Sequence, residues 1–393
     1  MRVLLVHNFY RLAGGEDSVV RDELSMLRAN GIETDLFSVD SKDICSPLDQ
    51  ILTGLQVVYS LRARRALSRK IAEFAPDVIH IHNFFPLLSP SILDACRLAN
   101  VPVVMTLHNF RILCPTGFLY GDARDRERSL RQSCWWTVRK RVYRSSVAAT
   151  MTLAAMVEFH KWVGTWRQKV DRFIALSPSA RDKFIEGGLP ANRIIIKPNC
   201  VSRAGAFPNV NRQGALFVGR LDEQKGLPTL LQAWKNVDYP LKIVGEGPLA
   251  DLVLQNTSSS VSYLGKVPRE AVKSEMQAAK FLVLPSIGHE MFPVTVLEAF
   301  SCGLPVICSD LPSLHGLVEV GFTGLKFRPG DSNSLAEVVR HVVTQPTKLD
   351  DYGRNALRVY EEGYTPEANF KRLMDIYNDV LRVRSNPALA GAI

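Results

Sequence analysis

VLLVHNFYRLAGGEDSVVRDELSMLRA, residues 3–29, contains one complete copy of the pattern on which the rest of the chain is built. VLLVH (3–7) is a short apolar run of strand length, followed by a Gly14-Gly15 loop and a helix-like stretch from Asp17 to Ala29. Working outward, ETDLFSV, DVIHIHN and PVVMTLHN repeat the strand signal, each near a helical candidate. A basic, irregular segment (110–145) interrupts the series, and DRFIALS (171–177) and RIIIKPN (193–199) resume it. A polar stretch from Pro198 and Asn199 to Asn211 and Gly214 reads as a linker. A second series then begins at ALFVGR (215–220) and continues through PLKIVG, VSYLG, KFLVLPS, LPVICSD and GLKFRPG. This β-α-β rhythm predicts an α/β fold of two Rossmann-like, doubly wound domains facing across a cleft. The expected divisions are 1–200, 201–365, and a closing helical segment, 366–393, packing back on the first domain.

Composition fits that size. The 393 residues are 46% apolar and 22% charged, ordinary for a folded chain and enough for two cores. No stretch reaches the roughly 18 apolar residues of a membrane span; Val147 to Val157 is about half that length. His7 and Asn8 break the first apolar run, so it reads as a strand and not a signal peptide. Seven singly scattered cysteines read as reduced thiols, which points to a cytoplasmic location. Cys114 and Cys134 flank a basic loop and could share a metal with His108, but these are three unlike candidates without any C-x-x-C, so the structural reading is preferred. The net charge of +9 lies wholly in residues 1–200, which hold 28 Lys+Arg against 19 Asp+Glu; residues 201–393 hold 20 of each. It concentrates at Arg62, Arg64, Arg65, Arg69 and Lys70, and between Arg124 and Arg144. Such a face attracts nucleic acid, an anionic membrane or a phosphorylated substrate.

The chemistry is concentrated in HEMFPVTVLEAF, residues 289–300. It follows a strand and enters a helix at Pro293, which suits the first turn because it lacks an N–H. The free amides around Val294 and Thr295, with the positive end of the helix dipole, make a phosphate site. Glu290 and Glu298 beside an anion site must accept hydrogen bonds from neutral hydroxyls, such as those of a sugar or ribose. Upstream, VGRLDEQKG (218–226) brings Arg220 and Lys225 to a strand end, two cations suited to a diphosphate whose charge grows as its sugar leaves. His80 and His82 are spaced i, i+2 on a strand and share a face, but no third metal ligand is evident. GEGPLA (245–250) matches G-x-G-x-x-A after a strand. The next strand, VSYLGK, lacks the terminal acid a dinucleotide site needs, so it reads as a tight turn with Pro248 starting the helix.

Together these stretches resemble the retaining family 4 glycosyltransferases of the GT-B fold, whose signature is two Glu separated by seven residues. The likeness runs through Gly14-Gly15, DVIHIHN, TLHNFRILCP, the KPN linker, GR…KG, IVGEGP and EMFPVTVLEAFSCGLPVICSD. It implies a nucleotide-diphosphate-sugar donor held by the second domain, with Arg220 and Lys225 on the diphosphate. Glu290 would contact the transferred sugar and Glu298 the ribose. Phe292, Pro293 and Val294 would line the phosphate loop, Gly219 and Gly245 the donor pocket, and Gly15 would approach from the first domain. His108 resembles the histidine facing the reacting sugar, and His82, Asn83 and Asn109 would line the acceptor side. Pro293 stands where the family often has Gly, which removes one amide donor.

The resemblance implies a hexosyltransferase passing sugar to a saccharide or lipid-linked acceptor in surface polysaccharide or glycolipid synthesis, peripheral on the inner membrane face. No cofactor is expected, and the absence of any D-x-D predicts turnover without a metal. A nucleotide-sugar epimerase of the same fold is the alternative. Nucleic-acid binding rests on charge alone and no nucleic-acid motif supports it, so no nucleic-acid partner is expected.

Overall fold

The apolar runs become parallel strands because each is too short for a helix and is buried on both faces. The computed structural model describes residues 1–11, 14–119, 123–203, 205, 212–288 and 290–385. The chain divides into two compact units, Met1–Pro198 with the chain from Phe370, and Asn199–Asn369.

In the first unit, β1 (Arg2–Phe9), β2 (Glu33–Asp40), β3 (Val78–Ile81), β4 (Val103–Leu107), β5 (Arg172–Ala175) and β6 (Ile194–Ile196) form one sheet in the order β2-β1-β3-β4-β5-β6. Every pairing is parallel. The strand order reverses between β1 and β3, and in such sheets ligands gather at the carboxyl ends beside that reversal. The second unit repeats the plan with β7 (Ala215–Val218), β8 (Leu241–Val244), β9 (Val261–Gly265), β10 (Phe281–Leu284), β11 (Val306–Ser309) and β12 (Gly324–Phe327). Their order is β12-β11-β10-β7-β8-β9, so the reversal falls between β7 and β10. The central strands β3, β4, β5, β10 and β11 are buried at every position.

Three helices of the first unit bear on function. Helix α1 (Gly15–Ala29) follows the Gly14-Gly15 loop. Helix α2 (Pro47–Gln56) buries none of its residues. Its apolar positions Leu48, Ile51, Leu52 and Leu55, one stripe at i, i+3, i+4 and i+7, are 44–73% exposed. Helix α3 (Leu61–Phe74) follows at once and carries Arg62, Arg64, Arg65, Arg69 and Lys70.

Several expectations are refined. The irregular segment 110–145 contains helices Ala123–Arg131 and Trp136–Arg139. The helix after β8 starts at Ala250, not at Pro248, and Pro293 is the N-cap of helix Val294–Ser301, not its first helical residue. Of the expected linker, residues 204 and 206–211 lie outside the described residues. Helix Pro366–Ser385 lays the buried Tyr377 against His80, and Arg172 Nε meets Asp379 Oδ2 at 2.7 Å. Among the described residues no helix is long and apolar enough to cross a membrane.

The loop after β7 is pressed against the end of β10. Gly226 has φ +70°, and a Cβ there would sit 1.7 Å from the Pro285 carbonyl oxygen. Gly226→Ala is therefore expected to cost about 2–5 kcal/mol, combining left-handed strain with overpacking. Denaturant midpoints of the two proteins check this.

Candidate functional site

At the carboxyl edge of the first sheet, β1 carries His7 and Asn8 just before its last residue, β3 is followed by His82 and Asn83, and β4 by His108 and Asn109. His7 Nε2 lies 2.8 Å from Asp17 Oδ1, both fully buried. Asp17 also accepts the Gly14 N–H at 3.1 Å, so this pair pins the Gly14-Gly15 loop to the sheet. A Cβ added at Gly14 or Gly15 would meet no protein atom within 4 Å. Beside it, Tyr10 donates to Glu16 Oε2 at 3.1 Å and Asn109 donates to the Tyr10 hydroxyl at 3.3 Å. Burial pushes the Glu16 carboxyl up to about 8, although the Tyr10 hydrogen bond pulls the other way. A cavity of about 130 Å³ opens next to this group, lined in part by Tyr10, Arg11, Phe85, Tyr143 and Arg144. The Arg111 guanidinium stacks over Phe85 at 4.4 Å.

Deeper in, Glu23 of α1 is 5% exposed and joins three elements. Its Oε1 lies 2.9 Å from His80 Nδ1 and 3.1 Å from His82 Nε2, and its Oε2 lies 3.3 Å from Lys197 Nζ. Burial would raise this carboxyl, but Lys197, His80 and His82 outweigh it and hold it well below the usual range. His80 is further held by Tyr377 and Thr106, each at 2.7 Å. His82 Nδ1 meets His108 Nε2 at 3.0 Å. Burial lowers His82 to about 3 and, with the neighbouring His82, lowers His108 as well.

Glu23, His80 and His82 place three ligand-type atoms within 4.8 Å of one another. The third ligand not evident in the sequence is thus present, but Lys197 already neutralises the carboxylate and the nitrogens facing it are hydrogen-bonded. We read the cluster as a charge-compensated hydrogen-bond network. The expectation that His82 and Asn83 line an acceptor surface gives way to a supporting role. Both are buried, and the Asn83 amide donates to the Asn8 carbonyl at 2.7 Å while its oxygen accepts the Phe85 N–H at 3.0 Å. His108 and Asn109 are half-buried. Cys114 and Cys134 are buried thiols, and among the described residues they form no metal group with His108.

In the second unit, the ends of β7 and β10 come together. Lys225 Nζ lies 2.6 Å from Glu290 Oε1, which also accepts from Ser286 Oγ at 2.7 Å. Asp222 pairs with Arg220 and takes the Lys225 N–H at 2.9 Å, which sets the shape of the 220–226 loop. The amides of Ile287 and Gly288 donate to the Gln224 carbonyl at 2.9 and 3.2 Å, joining the two loops. Helix Val294–Ser301 starts here with no side-chain cap, so its first amides have no intrahelical acceptor. Phe292 packs near Tyr364, and Glu298 lies 3.8 Å from Arg269. Gly245 has φ +145°, and a Cβ there would lie 1.9 Å from the Gly219 carbonyl oxygen, so both glycines serve one backbone crossing. His289 lies outside the described residues.

Sequence reading missed Glu23, Lys197, Tyr377, Asp222 and Ser286. A signal for Glu23 was available: Val19, Val20, Glu23, Met26 and Leu27 make one buried stripe on α1, and an acid on an apolar helix face needs a partner.

Glu16 gives a pH signature. Its folded pKa, about 8, lies above the ordinary carboxyl value of 4.5. The folded chain therefore holds a proton that the unfolded chain releases between these values. Stability should fall as pH rises from about 4.5 to 8, with a slope of up to about 1.4 kcal/mol per pH unit, and level off above. Glu16→Gln should remove that slope, as read from denaturant midpoints at pH 5, 6.5 and 8.5.

Comparison with known proteins bears on the family and the fold. Residues 13–204 match the family model described as Glycosyltransferase Family 4, and residues 203–359 match Glycosyl transferases group 1. The chain is 25% identical over 380 residues to a phosphatidyl-myo-inositol mannosyltransferase of Mycobacterium leprae, covering 90% of each. It is 24% identical to an alpha-D-kanosaminyltransferase of Streptomyces kanamyceticus, covering 82% of each. In fold it resembles sucrose-phosphate synthase from Thermosynechococcus elongatus, with TM-score 0.73, 20% identity and coverage of 97% and 99%. It also resembles Anabaena HepE in complex with UDP and glucose, with TM-score 0.68, 17% identity and coverage of 96% and 100%.

Proposed function

The chain belongs to glycosyltransferase family 4, and from that premise we propose that it moves a hexose-type sugar from a nucleotide diphosphate to a saccharide or lipid-linked acceptor with retention of configuration. The observation that carries this reading is the meeting of Lys225, Glu290 and Ser286 beside the uncapped start of helix Val294–Ser301. A pyrophosphate needs cations and free amides, and these are the groups gathered there. Arg220 and Lys225 stabilise the charge that grows on the departing nucleotide diphosphate. Gly219, Gly245, Phe292, Pro293 and Val294 shape its pocket, and Glu298 takes the ribose. Glu290 accepts from hydroxyls of the transferred sugar. The first unit contributes Gly15 and His108 to the reacting sugar and Asn109 to the acceptor.

The acceptor hydroxyl attacks the anomeric carbon on the face the diphosphate leaves. The C–O bond to the acceptor forms as the bond to the phosphate breaks, and the hydroxyl proton passes to the leaving phosphate oxygen. No side chain need form a covalent intermediate, and no metal is required. Replacing Arg220 or Lys225 by Ala should slow nucleoside-diphosphate release by about 10²–10³-fold, the usual effect of removing one charge-stabilising group. Near-normal release in both variants would discard the donor-site assignment. A thermal-shift panel of nucleotide sugars identifies the donor to use.

The outward apolar stripe of α2 beside the arginines of α3 supports a membrane-borne acceptor, because an amphipathic helix and a polybasic face together suit an anionic bilayer. Leu48→Ser combined with Leu55→Ser should abolish flotation with vesicles containing phosphatidylglycerol. Equal flotation of the parent chain with purely zwitterionic vesicles would argue against an anionic surface.

A further inference from the structure

The buried histidines have only one consistent arrangement of protons. Glu23 is an ionised carboxylate and can only accept, so the His82 nitrogen facing it, Nε2 at 3.1 Å, must carry a hydrogen. The opposite arrangement would set a nitrogen lone pair against a carboxylate oxygen in a buried site. His82 is 3% exposed and is held neutral by its burial, so its Nδ1 has no hydrogen and acts as an acceptor. His108 Nε2, 3.0 Å away, must then be the donor. The two rings have centroids 5.2 Å apart and planes within 22°, as suits an end-to-end N–H···N bond. His108 is neutral for the same reason as His82, so its remaining nitrogen, Nδ1, carries no proton.

We propose that Glu23, acting through His82, is a positioning residue that fixes the tautomer of His108, so that His108 presents a bare Nδ1 acceptor to a hydroxyl of the transferred sugar. The last step rests on the reading of His108 as the histidine at the reacting sugar; the tautomer itself does not. Glu23 is held for this task from three directions. Lys197 occupies Oε2, so Oε1 is left for the two rings. His80, fixed by Tyr377 and Thr106, keeps the carboxylate from turning. β3 and the residue after it, the chain after β6 and the last helix therefore all act on one nitrogen of His108. A bare acceptor binds a sugar hydroxyl as donor and disfavours an acceptor group at the same position, so the relay selects hydroxyl-bearing sugars there.

Glu23→Gln supplies the sharpest test. Lys197 can only donate, so the new amide would turn its oxygen to Lys197 and its NH₂ to the rings. His82 would then accept at Nε2 and donate from Nδ1, and His108 would accept at Nε2 and carry its proton on Nδ1. Proton-detected long-range ¹⁵N spectra of the full chain, labelled at its eight histidines, read both states, with His108 assigned by signal loss in His108→Gln. The expected result is His108 protonated on Nε2 in the parent chain and on Nδ1 in Glu23→Gln. A parent chain with His108 protonated on Nδ1, or a Glu23→Gln spectrum with both rings unchanged, overturns the proposal. The parent-chain spectrum decides the tautomer by itself even if Glu23→Gln is unstable, and Glu23→Gln with Lys197→Arg keeps a donor-only cation at Oε2 as a second route to the inversion. A merely structural Glu23 would alter stability without exchanging the two nitrogens. These spectra need no donor or acceptor. If instead His108→Gln leaves sugar transfer unchanged, the sugar-facing reading of His108 fails while the tautomer assignment stands.

Discussion

A carboxylate buried as deeply as Glu23 is tolerated only when its charge is matched, since an isolated ion in a protein interior is costly by several kcal/mol. The first unit is organised around meeting that requirement. Lys197 arrives from the chain after β6, His80 and His82 from β3 and the residue following it, and Tyr377 from the last helix. Removing any of these would leave another polar group buried without its partner. The same requirement fixes which way the histidines hydrogen-bond, and through them the state of the half-buried His108 at the sheet edge. Stability and site chemistry are thus decided by one set of contacts.

A second buried hydrogen-bonded pair lies in the same unit. His7 and Asp17 clamp the Gly14-Gly15 loop, while Glu16, one residue away, is held neutral over much of the physiological range. Adjacent acids in the first turn of α1 therefore play opposite parts. Asp17 accepts hydrogen bonds as an anchor, and Glu16 retains a proton beside Tyr10 and Asn109. Their environments separate them, because Asp17 has a histidine partner, whereas Glu16 is desolvated and lies beside the Asp17 carboxylate.

The second unit handles charge differently. Arg220, Lys225 and Arg269 each lie against a carboxylate, at Asp222, Glu290 and Glu298. These side chains are partly exposed, so water screens the pairs and they are individually weak. Such cations can exchange one anionic partner for another at little cost, unlike the buried Glu23 cluster. Backbone proximity supplies the rigidity instead. Glycines at 219, 226 and 245 let three loop segments touch, and they hold the ends of β7, β8 and β10 in a fixed relation.

Much of this was readable along the chain. Strand runs such as VLLVH and KFLVLPS stood out because parallel strands buried on both faces are nearly continuous in apolar residues. The start of helix Val294–Ser301, with Arg220 and Lys225 at a neighbouring strand end, was legible because local motifs and strand alternation carry it. Helix α2 was not, because its apolar stripe faces outward and periodicity alone does not say which side a helix presents. Glu23, Lys197 and Tyr377 were not legible either. Their sequence separations of 174 from Glu23 to Lys197 and 297 from His80 to Tyr377 leave no local trace, and only the folded first unit brings them together. The sequence by itself determined the two series of parallel strands and the Glu290/Glu298 motif, since these follow from periodicity and short spacing, whereas the strand order came only with the fold. The tertiary structure alone decided which histidines are buried, what charges face them and therefore where their protons sit, because desolvation and hydrogen-bond direction exist only once distant segments share one interior.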